Sequence, residues 1–347
     1  MSILINSSGG VVTLGGGVPR RSGFVHGQPF TITGSGFGTR PNYNTDARTW
    51  QGVPHLHFAF TDFASALRGT QAATDFKAAF GGFTPHNLLL DDGDAVTNSG
   101  NKIETGGPSQ SGRYYRRYYD GTNRYTAGMR ADASGFTYPG TEIWICKSRF
   151  EGTITGRIAK SIRATYGTGG ADGDYWLAPM SGGPEQAAGF SESNAEFENG
   201  AAVYTTLYAT TAEWARLMFV RTETTQRIYV GTTLTEWYAS GLQPPRSSLS
   251  WIESAWGLPV EYIFGSQMEE AATSVEGQLF ADIYIDFTPA RIEVVQGSVR
   301  EVQILTAWAP TAISGVFNRG ALALGAATLY VLDADNAQVA GMAITIT

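Results

Sequence analysis

The chain has 347 residues, of which 42% are hydrophobic and 16% are charged, and this balance excludes an intrinsically disordered protein. Its formal net charge of -7 argues against nucleic acid as the main partner, because phosphate contacts require a basic face. No segment approaches the roughly 18 apolar residues of a membrane span, and the first ten residues lack the basic start and apolar stretch of a secretory signal.

The beginning of the chain carries a short alternating segment and a glycine-rich turn, over residues 27–38. This pattern resembles the opening of the IPT/TIG immunoglobulin-like domain. Strands that would complete such a domain are predicted only at the other end, at Ala290–Val294, Glu301–Leu305, Thr328–Leu332 and Met342–Thr347. Residues 1–50 and 289–347 together have the size of one sandwich of about 100 residues. We therefore predict one discontinuous IPT/TIG-like domain, with residues 51–288 inserted as a second domain, as exposed loops tolerate.

The inserted segment alternates β-type runs with loops rich in Gly, Ser, Thr and Asn. The 43 glycines of the chain fall mostly between such runs, which is typical of many turns between short strands. Phe63–Phe80 is the best helical candidate. In the run Gln278–Phe287, Asp282 and Tyr284 are expected on a solvent face and Ile283 and Ile285 on a core face. The other clear strands are predicted at Glu142–Phe150, Ala215–Arg221, Arg227–Val230 and Glu261–Phe264.

The inserted segment resembles the concanavalin-A-like lectin and glucanase jelly rolls through Glu142–Ser148, Glu213–Leu217 and Ala281–Asp286. In such families a strand of the first kind crosses the concave sheet, and an acidic closing strand returns beside it. The predicted fold class is therefore all-β: a discontinuous immunoglobulin-like sandwich with an inserted concanavalin-A-like jelly roll.

A segment dense in arginine and tyrosine lies between residues 113 and 125. Tyrosine rings provide rigid contact area and guanidinium groups bind carboxylates in a forked geometry, so the two residue types together are typical of binding surfaces. We predict an acidic-glycan site or a subunit interface here; the alternative is an ordinary strand whose tyrosines pack at its base. The candidate residues are Arg113, Tyr114, Tyr115, Arg116, Arg117, Tyr118, Tyr119, Arg124 and Tyr125.

Catalytic residues are not predicted. A glycosidase requires two facing carboxylates, for which Glu142, Glu213, Asp282 and Asp286 are available without any diagnostic spacing. A polysaccharide lyase requires a base and a cation near the substrate carboxylate, for which Tyr115, His57 and Arg116 are candidates by residue type alone. The protein is accordingly predicted not to be an enzyme, with a lyase or glycosidase as the alternative.

No metal or cofactor is predicted. His55 and His57 would share one face of a strand, but the sequence indicates no third ligand. Three acidic turns, at residues 91–94, 172–174 and 333–336, lack the ligand spacing of an EF-hand and are interpreted as turns. The turn Gly34–Gly38 lacks the spacing of a dinucleotide-binding loop. Cys146 lies within a predicted strand and is expected to be buried and inert.

An IPT/TIG-like shell around a jelly-roll insert resembles proteins encoded by tailed bacteriophages. This resemblance implies a virion structural protein on the particle surface, a capsid decoration, fibre or tail component with host surface polysaccharide as an expected ligand. The implied partners are other virion proteins and further copies of the chain, a trimer being favoured. It would be made in the host cytoplasm and reside in the virion. The alternatives are a polysaccharide lyase or glycoside hydrolase and a bacterial lectin or adhesin.

Overall fold

The computed structural model describes both ends of the chain and, between them, chiefly strands. The described residues are 4–7, 10–12, 23–40, 55–58, 85–86, 102–109, 112–119, 129–137, 142–151, 159–166, 174–180, 186–192, 205–208, 214–221, 226–231, 238–243, 259–268, 276–286 and 288–347. Within these residues there are strands, turns and loops but no helix, and the predicted all-β class is confirmed. The helical candidate Phe63–Phe80 lies outside them. None of the described residues belongs to a helix long and apolar enough to cross a membrane.

The described strands number 24. In chain order they are β1 (Leu4–Ser7), β2 (Gly10–Val12), β3 (Pro29–Thr33), β4 (His55–Phe58), β5 (Pro85–His86), β6 (Lys102–Thr105), β7 (Arg113–Tyr119), β8 (Met129–Thr137), β9 (Glu142–Glu151), β10 (Ala159–Tyr166), β11 (Asp174–Met180), β12 (Gln186–Glu192), β13 (Thr205–Tyr208), β14 (Ala215–Arg221), β15 (Gln226–Gly231), β16 (Tyr238–Gln243), β17 (Pro259–Met268), β18 (Glu276–Asp286), β19 (Arg291–Gln296), β20 (Val299–Val302), β21 (Ile304–Ala309), β22 (Ala312–Val316), β23 (Gly325–Leu332) and β24 (Gln338–Ile346).

Strands from the two ends of the chain share one sheet. The five-stranded sheet has the order β2-β1-β3-β22-β21, in which β3 pairs antiparallel with β22 and Ile32 lies opposite Ile313. A four-stranded sheet follows the order β20-β19-β23-β24. We call these two sheets the terminal sandwich. The domain limits at residues 50 and 289 stay a prediction.

The core of the terminal sandwich joins residues that are distant in sequence. Phe30 and Ile32 are the buried positions of the alternating strand β3 and pack with Ile292 and Val294 of β19 in one cluster. The Phe24 ring meets the Phe317 ring edge-on, with centroids 5.3 Å apart. An apolar core spanning both sheets stabilises this sandwich by burial, and it draws on both ends of the chain.

Two larger sheets are built from strands between residues 55 and 286. One has seven strands in the order β13-β12-β11-β10-β17-β8-β5, and the other has the order β16-β15-β14-β9-β18-β7-β6, with β4 also paired to β18. In the second, which we call the large sheet, β9 pairs with both β14 and β18.

The expected alternation along β18 is wrong in two respects. Its register against β9 shifts between Ala281 and Tyr284, and Asp282 has a φ of 47°, the left-handed conformation of a β-bulge residue. The bulge moves Tyr284 to the face that carries Ala281. No residue from 279 to 286 is solvent-exposed either: Tyr284 packs with Val302 of the terminal sandwich, and Phe280 is buried on the opposite face against Tyr115.

Candidate functional site

One face of the large sheet meets the terminal sandwich. Alternation along β9 places the odd-numbered residues, from Ile143 through Lys147 to Arg149, on this face and the even-numbered residues on the other. We call them the Lys147 face and the Trp144 face. A buried apolar cluster joins the Lys147 face to the terminal sandwich through Ile143, Ile145, Met218, Tyr284 and Val302.

Lys147 lies at the centre of this contact. Its Nζ donates to Asp282 Oδ2 at 2.5 Å, to Glu301 Oε1 at 2.6 Å and to the carbonyl oxygen of Pro108 at 3.3 Å. The first two partners define the Lys147 cluster: Lys147, Asp282 and Glu301. Burial by itself lowers the pKa of Lys147, but the two carboxylates outweigh it and the pKa lies above its ordinary value. This cluster joins two strands of the large sheet to β20 of the terminal sandwich.

A second buried cluster surrounds Glu293 on β19. Glu293 Oε1 accepts from Arg291 Nε at 2.7 Å and from Arg216 Nη2 at 3.2 Å, and Arg300 Nε lies 3.1 Å from Oε2. We call these four residues the Glu293 cluster. Burial alone raises the pKa of Glu293, but the guanidinium groups outweigh it and hold the pKa well below its ordinary value. For Arg216, by contrast, burial dominates and lowers the pKa. The Glu293 carboxylate is therefore ionised. Its cationic partners come from the large sheet (Arg216) and from the terminal sandwich (Arg291 and Arg300).

A third contact fastens the edge of the same interface. Asp286 accepts from Arg40 Nη2 and, at 2.5 Å, from the Tyr284 hydroxyl, while Arg40 Nε donates to the carbonyl oxygen of Ala290 at 3.0 Å. Burial, followed by the nearby Asp286 carboxylate, raises the pKa of Tyr284. Arg40 thus links the chain that follows β3 to the junction between β18 and β19.

The Lys147 face is only partly covered at its other end. There the Trp214 ring lies edge-on to Tyr114 at 5.5 Å, and the Arg149 guanidinium lies 5.6 Å from the centroid of Trp214. The Tyr114 hydroxyl donates to Glu104 Oε2 at 2.8 Å. Arg116 Nη1 lies 3.4 Å from Glu104 Oε1, with exposures of 20% and 18% for these two side chains. Trp214, Arg149, Tyr114, Arg116 and Glu104 together form what we call the Trp214 surface.

The structure divides the predicted arginine and tyrosine segment between the two faces. Tyr114 and Arg116 belong to the Trp214 surface, and Arg113 precedes them on β7. Tyr115 points to the opposite face, is fully buried and stacks on Phe280 with centroids 6.2 Å apart. Arg117, Tyr118 and Tyr119 continue β7, while Arg124 and Tyr125 lie outside the described residues. The prediction of a binding surface is untested for the segment as a whole.

The catalytic candidates whose side chains the structure describes are not assembled into one site. Asp282 and Asp286 are buried at the contact with the terminal sandwich, each with a cationic partner. Tyr115 and Arg116 are neighbours on a strand and lie on opposite faces, so they cannot act together on one substrate. His57 lies on β4 opposite Tyr284, and Glu142 begins β9. Glu213 lies outside the described residues.

The described part of the chain contains no group of three or more His, Cys, Asp or Glu side chains placed to hold a metal ion. His55 and His57 both lie on β4, whereas the turn at residues 91–94 lies outside the described residues and only Asp174 of the second turn lies within them. The third acidic turn caps its own backbone, since Asp333 Oδ1 accepts from the amides of Asp335 and Ala337 at 3.0 and 2.9 Å.

Cys146 is buried on the Trp144 face, as expected. Burial raises the pKa of its thiol to about 12, so the thiol stays protonated and unreactive near neutral pH.

Sequence reasoning missed most residues of these clusters. Lys147 follows four apolar residues of a predicted strand, and Glu293 lies between Ile292 and Val294; each is a charge placed within an apolar run. A charge in such a run is the available signal for a buried ion pair, but it does not identify the partner. The missed residues are Arg40, Glu104, Lys147, Arg149, Trp214, Arg216, Arg291, Glu293, Arg300 and Glu301.

No family model matches the chain, and no curated protein matches its sequence. Among solved structures, alginate lyase A1-II', a member of polysaccharide lyase family-7, has a TM-score of 0.38 at 8% identity, with 55% of this chain and 85% of that chain covered. The alginate lyase from Klebsiella pneumoniae has a TM-score of 0.35 at 6% identity, with 50% and 81% covered. A variant of the GH43 protein BlXynB from Bacillus licheniformis has a TM-score of 0.33 at 12% identity; 50% of this chain is covered, and the match spans 32% of that chain. Similarities this weak do not establish a shared activity.

Proposed function

We propose that the protein binds an acidic polysaccharide through the Trp214 surface. The observation that carries the proposal is the partly exposed Trp214 ring with the Arg149 guanidinium over it, on the sheet face that also carries Arg116. This arrangement offers an apolar ring and two cations in one place.

Each component of the Trp214 surface suits a sugar acid. An aromatic ring presents a flat apolar body to the C–H groups of a pyranose, and a guanidinium binds a carboxylate in a forked geometry. Tyr114 lies edge-on against Trp214 and limits the orientations of its ring. Strands β7 and β9 hold the arginines in register, and sites on regular elements are more precise than sites on loops.

The terminal sandwich supports an anchoring role in this proposal. It is fastened to the large sheet through the Lys147 and Glu293 clusters, whereas the Trp214 surface lies beyond this contact. Such a molecule would attach through the terminal sandwich and present glycan-binding residues on the large sheet. A virion surface is the setting that we propose, and stoichiometric amounts of the chain in purified particles would support it.

A polysaccharide lyase is the second candidate, and the Tyr114 and Glu104 pair favours it. Elimination from a uronic acid requires a group that removes a proton and a cation that binds the substrate carboxylate. Tyr114 and Arg116 lie on the same face beside Glu104, and these residue types match both roles.

Binding to immobilised polysaccharides tests both candidates. The protein should be retained by uronic-acid polymers more strongly than by neutral glucans, and Trp214→Ala should lower the affinity at least about tenfold, as for a hot-spot residue. Trp308→Ala is the matched control, because Trp308 is a partly buried tryptophan of the terminal sandwich and should leave the affinity unchanged.

Equal retention of Trp214→Ala and the unsubstituted protein would contradict the proposal. Formation of unsaturated sugar ends by the unsubstituted protein, lost in Tyr114→Phe, would instead establish the lyase.

A further inference from the structure

The Lys147 cluster contains the two reactants of an amide bond and a third group that can move protons between them. Lys147 Nζ lies 2.5 Å from Asp282 Oδ2 and 2.6 Å from Glu301 Oε1, and the three side chains are 4%, 6% and 2% exposed. Reacting atoms held this close behave as if at very high effective concentration. We propose that Lys147 and Asp282 condense spontaneously into an isopeptide bond, with Glu301 as the proton-transferring residue.

The free oxygen of Asp282 supports its role as the electrophile. Its Oδ1 is buried and has no hydrogen-bond partner among the described residues, although a buried carboxylate oxygen ordinarily has one. A small cavity adjoins it, lined by the Lys147 cluster together with Ile145, Val302 and Asn318. The cavity has room for about one water molecule. An oxygen without a partner beside such a space can depart as water.

The backbone of Asp282 is held in an uncommon conformation. A φ of 47° is unusual for a residue other than glycine, and such strain concentrates at functional positions. The bulge also places Asp282 beside Lys147 on β9, directly after the pairing of Ala281 with Lys147. The carboxylate is therefore directed at the lysine by the backbone and not only by attraction between charges.

Glu301 is positioned by the loop that follows β22. The amide of Ala321 donates to Glu301 Oε1 at 2.8 Å. Gly320 has a φ of 50°, and a Cβ there would lie 2.2 Å from Cδ of Glu301, so any other residue would displace the carboxyl group. Burial, the largest effect, raises the pKa of Glu301, and this favours its protonated form despite the opposing effect of Lys147.

The reaction balances without any other reactant. The Lys147 ammonium first transfers a proton to the Asp282 carboxylate along the hydrogen bond between them, which gives the neutral amine and acid. The amine then attacks Cγ of Asp282, the Nζ–Cγ bond forms, and the Cγ–Oδ1 bond breaks. Glu301 donates its proton to the departing oxygen and accepts one from Nζ, so it ends unchanged. One amide and one water molecule are formed.

The positions of the three residues also determine when the bond can form during folding. Lys147 and Asp282 lie on paired strands of the large sheet, but Glu301 belongs to β20 of the terminal sandwich. The bond therefore forms only after the two parts of the molecule have docked. It closes a covalent loop between residues 135 apart in sequence.

Mass spectrometry of the full-length protein tests the assignment. The intact mass should be lower than the mass calculated from the sequence by one water molecule. Proteolysis should yield a branched peptide that joins Lys147 to Asp282. Lys147→Arg and Glu301→Gln should each have the full calculated mass, whereas Glu104→Gln, the same kind of change at the Trp214 surface, should retain the loss of water.

An unsubstituted protein with the full calculated mass and a freely cleaved Lys147 peptide would overturn the proposal and leave an ion-paired contact. A branch at Glu301, or a loss of water located elsewhere in the chain, would overturn it as well. These readings use the unsubstituted protein, so they stand even where a variant fails to fold.

Discussion

The two ends of the Lys147 face carry similar residue types in very different surroundings. At the covered end, Lys147, Arg216 and Asp282 lie beneath the terminal sandwich, each no more than 6% exposed. At the open end, Arg116 and Glu104 remain about one-fifth exposed beside Trp214. Residues of the same face therefore hold two parts of the molecule together at one end and form the proposed ligand surface at the other.

This contrast has an energetic consequence. Ion pairs near solvent contribute little to stability, because water screens the charges and competes for them. Removing one member of a buried cluster leaves the others without compensation in a medium of low polarity, which is strongly destabilising. Substitutions at the covered end should therefore lower the free energy of unfolding. Substitutions at the open end should change ligand binding with little effect on stability.

The largest effect is expected for Glu293→Gln. This change leaves Arg216, Arg291 and Arg300 without their shared carboxylate, and it should lower the free energy of unfolding by about 3–5 kcal/mol. Denaturation with urea measures the loss. Glu104→Gln is the control, with an expected loss of about 0–1 kcal/mol. Equal losses for the two variants would contradict the contrast between the ends.

The destabilisation caused by Glu293→Gln should also depend on pH. The folded pKa of Glu293 lies below its ordinary value of 4.5, so its contribution to stability is complete above that pH and declines as the pH falls below it. The difference in unfolding free energy between the unsubstituted protein and Glu293→Gln should therefore shrink between neutral pH and about pH 3.5. The raised pKa of Glu301 acts in the opposite direction, but it is common to both proteins and cancels in the difference.

A slightly smaller effect is expected for Tyr115→Ala on the Trp144 face. Loss of this buried ring, which stacks on Phe280, should cost roughly 3 kcal/mol of stability, as for other truncated core aromatics. Thermal and urea denaturation would show the loss. Loss of glycan affinity without loss of stability would instead place Tyr115 at a ligand.

Substitution of its neighbour Arg116 should weaken glycan binding and leave stability nearly unchanged. Arg116→Ala should change stability by less than about 1 kcal/mol, because its pairing with Glu104 is partly solvated. It should weaken retention on uronic-acid polymers, and more at low than at high salt. Arg300→Ala, within the Glu293 cluster, is the control: it should lower stability and leave retention on uronic-acid polymers unchanged.

Removal of residues 51–288, with the ends joined by a short linker, is expected to leave the core of the terminal sandwich folded. Its core cluster draws on residues from both ends of the chain, so cooperative unfolding should be retained. Calorimetry of the shortened chain measures this. A shortened chain that does not unfold cooperatively would show that the sandwich depends on the large sheet, and would contradict the predicted domain limits.

Several parts of the fold were predictable from local patterns. Runs of alternating or continuous apolar residues correctly indicated β9, β14 and β19, because strand periodicity is a local property. The alternation of β18 was mispredicted because a bulge changes the register without a clear local signal. In the arginine and tyrosine segment, composition did not separate Tyr115, which is buried on the Trp144 face, from Tyr114 and Arg116 on the Lys147 face.

Residue order alone was sufficient for the all-β class, since that class depends on periodicity and composition. The joining of the two chain ends in one domain was expected from a resemblance, and its limits stay a prediction. Residue order was not sufficient for the roles of the charged residues. On β19, Arg291 and Glu293 alternate with apolar residues as they would on a solvent-facing strand, yet both are buried. Whether such a side chain meets water, a partner charge or a ligand depends on which surface docks against it, and docking brings together residues that are far apart in the chain.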